Sequence, residues 1–250
     1  MKLSSKELKR IARGNLTDHY DIVMKAFISV MFLSLLIDLP FSALLRPEHP
    51  TMMQNILYCI AEFLISIIVG ILQIGLISLH LSLARGQEFT HQQIFCCFRA
   101  QTDRYIINII CKTLLYGICA SPALFGLYSI KENASITNIL CAIFLASFAV
   151  ICILFVNLSF YLTSYLLLDH ADISVLESFQ NSFKLMKGHK LRLLYLYFSF
   201  IGMGILELLS IGIGSFWIEP YKSQTFANFY LNLVGESMPS YNNSTFQTYV

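Results

Sequence analysis

Residues 139–158 read ILCAIFLASFAVICILFVNL. Thirteen of these positions are Leu, Ile, Val or Phe and none is charged. A helix of about 20 residues spans about 30 Å, the thickness of a bilayer's hydrocarbon core. On translocon scales the run favours insertion by roughly 4 to 8 kcal/mol. Lipid can host such a segment only if its backbone is hydrogen-bonded internally, so it reads as a transmembrane helix, extended to residues 138–168. Four more apolar stretches of that order flank it, approximately at residues 26–45, 55–84, 105–129 and 191–218. The expectation is an all-α polytopic bundle of about five spans, with residues 223–236 as a possible sixth or re-entrant segment. The second and fourth runs are about 30 residues, or roughly 45 Å of helix, and must tilt or project beyond the hydrocarbon.

Composition agrees with this. The 250 residues are 56% hydrophobic and 13% charged, against about 25% charged in soluble domains. No polar stretch is long enough to build a separate soluble core, so one membrane domain at 26–218 is expected. It lies between a basic leader (1–25) and an interfacial segment (219–236), with a polar, disordered tail at 237–250. A net charge of +2 argues against a nucleic-acid partner. Cys59, Cys96, Cys97, Cys111, Cys119, Cys141 and Cys152 lie in apolar runs or, for Cys96 and Cys97, in an inner polar loop. They imply no disulfide framework.

The basic residues set an orientation. Lys2, Lys6, Lys9, Arg10, Arg13 and Lys25 precede the first span, Arg85, Arg99 and Arg104 follow the second, and Lys184, Lys187, Lys190 and Arg192 follow the fourth. The alternate side holds Arg46, Lys131 and Lys222. By the positive-inside rule the amino terminus is cytoplasmic and, with five spans, the carboxyl terminus outside. A cleaved signal peptide fits poorly, because no small-x-small site follows the first apolar run.

Capping signals mark shorter helices. Ser4 with Glu7 has capping-box spacing, and Leu8, Ile11 and Ala12 share a face. This segment is either an interfacial helix attracted to anionic headgroups or a disordered leader that sets topology. Thr90 with Gln93, flanked by Phe89 and Ile94, suggests a second box with a staple that opens a short helix through Phe98. Ser174 with Glu177 opens an amphipathic helix with Leu176, Phe179, Phe183 and Met186 as its stripe, ended by Gly188. Pro220 is expected to stop the fifth span, with Trp217 and Tyr221 as an aromatic belt at its outer end. Phe226, Phe229, Tyr230 and Leu233 then mark a surface helix. Lys6, Lys9, Arg10, Arg13, Lys187 and Lys190 are candidate contacts to anionic lipid headgroups.

Charged residues inside spans cost about 2.5 to 3.5 kcal/mol each at the centre and invite a functional reading. Asp38, Glu62 and Glu207 fall in the outer half of three spans and form a candidate polar cluster for a cation or protons. Alternatively, each is separately accommodated, Asp38 at the interface and the others bonded to neighbouring helices. His80 and Asn157 are weaker cases, and Lys112 is expected to snorkel toward the inner surface. Ser66 with Gly70, Gly117 with Ser121, and Ser210 with Gly214 allow close helix approach. The glycine-rich stretch 202–214 is a candidate broken helix. No zinc helix, phosphate-binding glycine loop or serine elbow is present, so no cofactor, metal or catalytic residue is assigned. Asn133 and Asn243 begin formal glycan acceptor triplets.

Several residues together resemble a known family. They are Ser5, Leu8, Lys9, Ala12, Gly14 and Asn15 near the start, then 169–174, Ser182, 185–190, 199–202, 212–214, Pro220, Tyr221, Thr225, Ala227, Phe229 and Tyr230. The pattern is similar to a bacterial integral-membrane family catalogued as domain-of-unknown-function family nine-seven-five, with Ala171 and Met203 departing from it. The resemblance implies a bacterial plasma-membrane protein and supplies no catalytic residue. The functional expectation is a non-enzymatic envelope protein acting through lipid or partner contacts. The alternative is a small oligomeric transporter or channel using the intramembrane carboxylates.

Overall fold

The computed structural model describes residues 3–45, 51–132 and 135–236. The expected tail at 237–250 and the acceptor residues Asn133 and Asn243 lie outside them. The described residues form helices and no strand: α1 (Ser5–Thr17), α2 (Tyr20–Leu45), α3 (Met52–Ala84), a 3-10 turn (His91–Phe95), α4 (Cys96–Arg99), α5 (Thr102–Glu132), α6 (Ile136–Phe160), α7 (Thr163–Asp169), α8 (Val175–Met186), α9 (Lys190–Phe198), α10 (Ile201–Leu209) and α11 (Ser215–Val234). Five segments are long and apolar enough to cross a membrane: Tyr20–Leu39, Met52–Ala84, Thr102–Lys131, Ile136–Asp169 and Lys190–Leu209. The helical class and the number of such segments agree with the sequence reading. The chain divides into two compact units, Met1–Tyr105 with Tyr195–Val250, and Ile106–Leu194.

In the first unit, α2 and α3 pack together. Tyr20 starts one and Arg85 follows the other, so these two residues mark what is here called the near end. The capping box at Ser4 and Glu7 is formed, and the Ser4 bonds hold the Glu7 carboxyl below its ordinary range. Leu8, Ala12 and Leu16 are fully buried because their face packs on α11. The segment is thus a formed helix, not a disordered leader, and its apolar face is covered by protein.

The largest correction concerns α11. Pro220 does not stop a helix; it lies within α11 near its start, where it lacks only the N–H that would reach the Phe216 carbonyl. Phe226, Phe229 and Tyr230, expected on a surface helix, are 3% exposed or less, and Ala227 and Leu231 between and beyond them are fully buried. Packed by α1, α2 and α3, α11 is a core helix. It runs antiparallel to the chain's start. Leu3 N–H donates to Asn232 Oδ1 (3.2 Å), Asn228 Nδ2 to the Leu8 carbonyl (3.4 Å) and Tyr20 Oη–H to the Trp217 carbonyl (2.8 Å). At the other end Arg85 grips Glu236 through two nitrogens, at 2.8 and 2.9 Å. Both ends of α11 thus lie at the near end.

The loop after α3 carries the expected short helical stretch, as the 3-10 turn and α4, but not the expected capping box. Thr90 makes no cap bond, and a 3-10 turn follows. Gln93 is recruited instead by α3, its Nε2 donating to Ser82 Oγ (2.8 Å) and Ser78 Oγ (3.2 Å). Phe89 meets the His19 ring at 5.3 Å, while Ile94 is buried against α3 at Gly75.

In the second unit, α6 and α7 are separated by a break at Tyr161 and Leu162, and α8 packs on both helices. The Ser174–Glu177 box is formed. Of the expected stripe, Phe179 and Met186 are buried, whereas Leu176 and Phe183 are exposed. Two serines, Ser178 and Ser182, complete the buried face. They are small enough for close approach, and Ser182 Oγ donates to the Ser159 carbonyl at 3.0 Å. Gly126 on α5 faces Ala142 on α6 so closely that a Cβ there would sit 2.9 Å from the Ala142 Cα.

Candidate functional site

The candidate headgroup contacts divide into two kinds. Lys6, Arg10 and Arg13 on α1 and Lys187 after α8 are exposed. Arg13 stands 5.9 Å from the Tyr221 ring centroid. Lys9 and Lys190 are engaged within the protein. Lys9 Nζ donates to the Ser199 carbonyl (2.7 Å) and lies 3.9 Å over the Phe200 ring. It thus neutralises a carbonyl that the break between α9 and α10 leaves without its helical partner. Lys190 Nζ donates to Ser159 Oγ (2.7 Å) and sits over the Phe155 ring at 3.8 Å.

The three carboxylates are not gathered. Asp38 is exposed, Glu62 and Glu207 are half-buried, and none is hydrogen-bonded or ion-paired among the described residues. No group of three His, Cys, Asp or Glu side chains there could hold a metal ion. Glu207 lies beside Gly214, where an added Cβ would be 3.3 Å from the Glu207 Cα, three residues before Trp217 and its bond from Tyr20. Asp38 is about 27 Å further along α2 from Tyr20, and Glu62 about 34 Å along α3 from Arg85, at 1.5 Å per residue. The expected convergence fails because α10 turns back into α11 at the near end.

Lys112, expected to snorkel, donates instead to Ser164 Oγ (3.1 Å), as does Asn108 Nδ2 (3.2 Å). Asn157 Nδ2 donates to Tyr116 Oη at 3.3 Å. These polar ties within the second unit satisfy groups that lipid would leave unpaired. His80 is likewise buried at 1% exposure, with Nδ1 2.9 Å from Gln224 Oε1.

One cavity of about 890 Å³ opens in the first unit. His19, Glu88, Gln93, Cys96 and Arg99 are among its lining residues. The Sγ atoms of Cys96 and Cys97 are 3.6 Å apart. The hydrogen bond between the two thiols, with a smaller contribution from Ser78, holds the Cys96 thiol down to about 6 against the opposing effect of burial. That same bond, with burial, pushes Cys97 far up. A thiol lowered in this way is more fully thiolate at neutral pH than an ordinary one, and the thiolate is the nucleophile. Iodoacetamide is therefore expected to label Cys96 first at neutral pH, at a rate that falls as pH drops through about 6. Peptide mapping that found Cys97 labelled first, or a Cys96 rate still rising steeply above pH 8, would refute this.

A helix bundle with five membrane-length apolar segments and polar groups tied between helices defines a class: multi-pass helical membrane proteins. The chain belongs to the family described as Protein of unknown function (DUF975), whose model matches residues 1–237. No curated protein and no solved structure matches it.

Proposed function

We propose that this protein is a non-enzymatic component of a bacterial plasma membrane that acts through lipid and partner contacts, with its amino terminus in the cytoplasm. The observation that carries the reading is the packed platform of α1 on α11. It fixes a helix at the near end while leaving Lys6, Arg10 and Arg13 exposed. A rigid basic face of this kind suits anionic headgroups, at about 1 kcal/mol per basic residue near the surface. Transport through the carboxylates has less support, since Glu207 lies far along the bundle from Asp38 and Glu62.

The test is mass spectrometry of the tagged protein extracted in its native lipid. Lys6→Gln with Arg10→Gln is expected to reduce co-purified anionic lipid, by about fivefold per charge removed at low salt. Glu62→Gln and Glu207→Gln are expected to leave lipid, partners and folding unchanged. A bound small molecule lost in both carboxylate variants, with anionic lipid unaffected by the basic ones, would replace this reading with a transporter.

A further inference from the structure

We infer that residues 201–214 form a re-entrant hairpin that inserts into the leaflet at the near end and does not cross the membrane. Three independent observations lead there. The first is anchorage. Ser199, just before α10, accepts from Lys9 on α1, and Trp217, just after the turn, accepts from Tyr20 at the start of α2. Phe216 also meets Phe27 edge-on at 6.4 Å, two turns into α2. The chain therefore leaves the near end at Ser199 and is back there by Trp217. The helix between these anchors, α10, has 9 residues, or about 13 Å, under half of the roughly 30 Å hydrocarbon.

The second observation is what the segment exposes. No residue of α10 is buried. Leu208 and Leu209 are 80% and 74% exposed and Ile211, at the turn, 93%. Apolar side chains shown so fully over consecutive positions belong in acyl chains.

The third is the turn's backbone. Irregular chain in lipid must satisfy its own polar groups, and the amides of this one are paired. Every amide from Ser210 to Ile218 donates within the segment, Gly212 N to the Glu207 carbonyl (2.9 Å) and Gly214 N to Ser210 Oγ (2.8 Å) among them. The reversal requires left-handed backbone at Ile211 (φ 53°) and Gly212 (φ 83°). A β-branched residue held there is strained. Water-facing turns rarely need such an arrangement, whereas here it places an isoleucine at the apex.

The occupant of this apolar surface is thus the acyl-chain layer of one leaflet, and both ends of the described chain lie on one side of the membrane. The test uses the full-length protein in oriented vesicles with protease-cleavable tags at both termini. Cleavage of both tags from the same side is expected, and cleavage from opposite sides would overturn the hairpin. Depth is read from the sole tryptophan. In a Trp217→Phe, Ile211→Trp variant, mid-chain brominated lipid is expected to quench most of the emission, while in the native protein Trp217 is quenched best by bromines near the headgroup. Emission at position 211 quenched by aqueous iodide and spared by bromolipid would refute insertion. Should that variant fail to fold, the tag result and native Trp217 still decide.

Discussion

Gly75→Ala is expected to lower the protein's thermal stability sharply. A Cβ at residue 75 would lie 2.0 Å from the Ile94 carbonyl oxygen, 2.6 Å from its carbon and 2.9 Å from its Cα. All three are backbone atoms, so no side chain can rotate aside. Overpacking typically costs about 1 to 3 kcal/mol and sometimes more, and a clash with fixed backbone belongs at or above the top of that range. Relief requires the 3-10 turn to lift from α3, which would also break the Gln93 bonds to Ser78 and Ser82. The unfolding midpoint in detergent should fall, and Cys97, 1% exposed in the native protein, should become open to alkylation. Gly117→Ala is the control. Nothing lies within 4 Å of a Cβ there, and replacing a helix-interior glycine stabilises by up to about 1 kcal/mol. Equal melting of Gly75→Ala and the native protein would mean that the loop does not seat on α3.

Leu8→Ala is expected to cost about 2 to 5 kcal/mol, the range for a fully buried leucine truncated to alanine. The leucine is 0% exposed, and its backbone carbonyl accepts from Asn228, so this turn of α1 is tied to α11 through both side chain and backbone. The readout is protease cleavage within residues 5–17 of the native-lipid protein, rising in the variant as α1 detaches. Lys6→Gln, on the exposed face of the same helix, should shift stability by no more than about 0.5 kcal/mol. If α1 lay in the headgroups, as periodicity alone allowed, Leu8→Ala would weaken membrane contact without loosening α11. Unchanged cleavage would therefore restore the interfacial reading.

These two residues show where sequence reasoning stopped. The pattern Leu8, Ile11, Ala12 reveals a face that must be covered, but a lipid surface and a protein helix cover such a face equally well. Gly75 carries no local signal at all, because its reason is the carbonyl of a residue nineteen positions later in the chain. The same limit explains α8. Its stripe was read as Leu176, Phe179, Phe183 and Met186; Phe179 and Met186 are buried, but Ser178 and Ser182 take the place of the other two, because close packing against α6 favours small side chains that can bond to a carbonyl.

The carboxylates illustrate a further limit. Counting residues along five spans put Asp38, Glu62 and Glu207 at one depth, and that count presumed that every apolar run crosses. The break at Ser199 and Phe200 and the reversal at Ile211 and Gly212 remove that premise for the last run. The glycine-rich stretch 202–214 did hint at a broken helix. Its direction of return was set by Lys9, Tyr20 and Arg85, each far from it in sequence.

By itself, then, the sequence determined the solvent, the helical class, the membrane-length segments and the Ser4 and Ser174 caps, all of which depend on hydropathy and bonds over a few residues. Only the tertiary structure decided that α11 is core, that α1 covers it, that Lys9 and Lys190 serve internal carbonyl and hydroxyl groups, and that the chain returns to the end where it began. The physical reason is that hydropathy states how much apolar surface must leave water. Which surface covers it, lipid or another helix, is settled by contacts between residues roughly 200 positions apart, such as Leu8 with Asn228, and no local pattern encodes them.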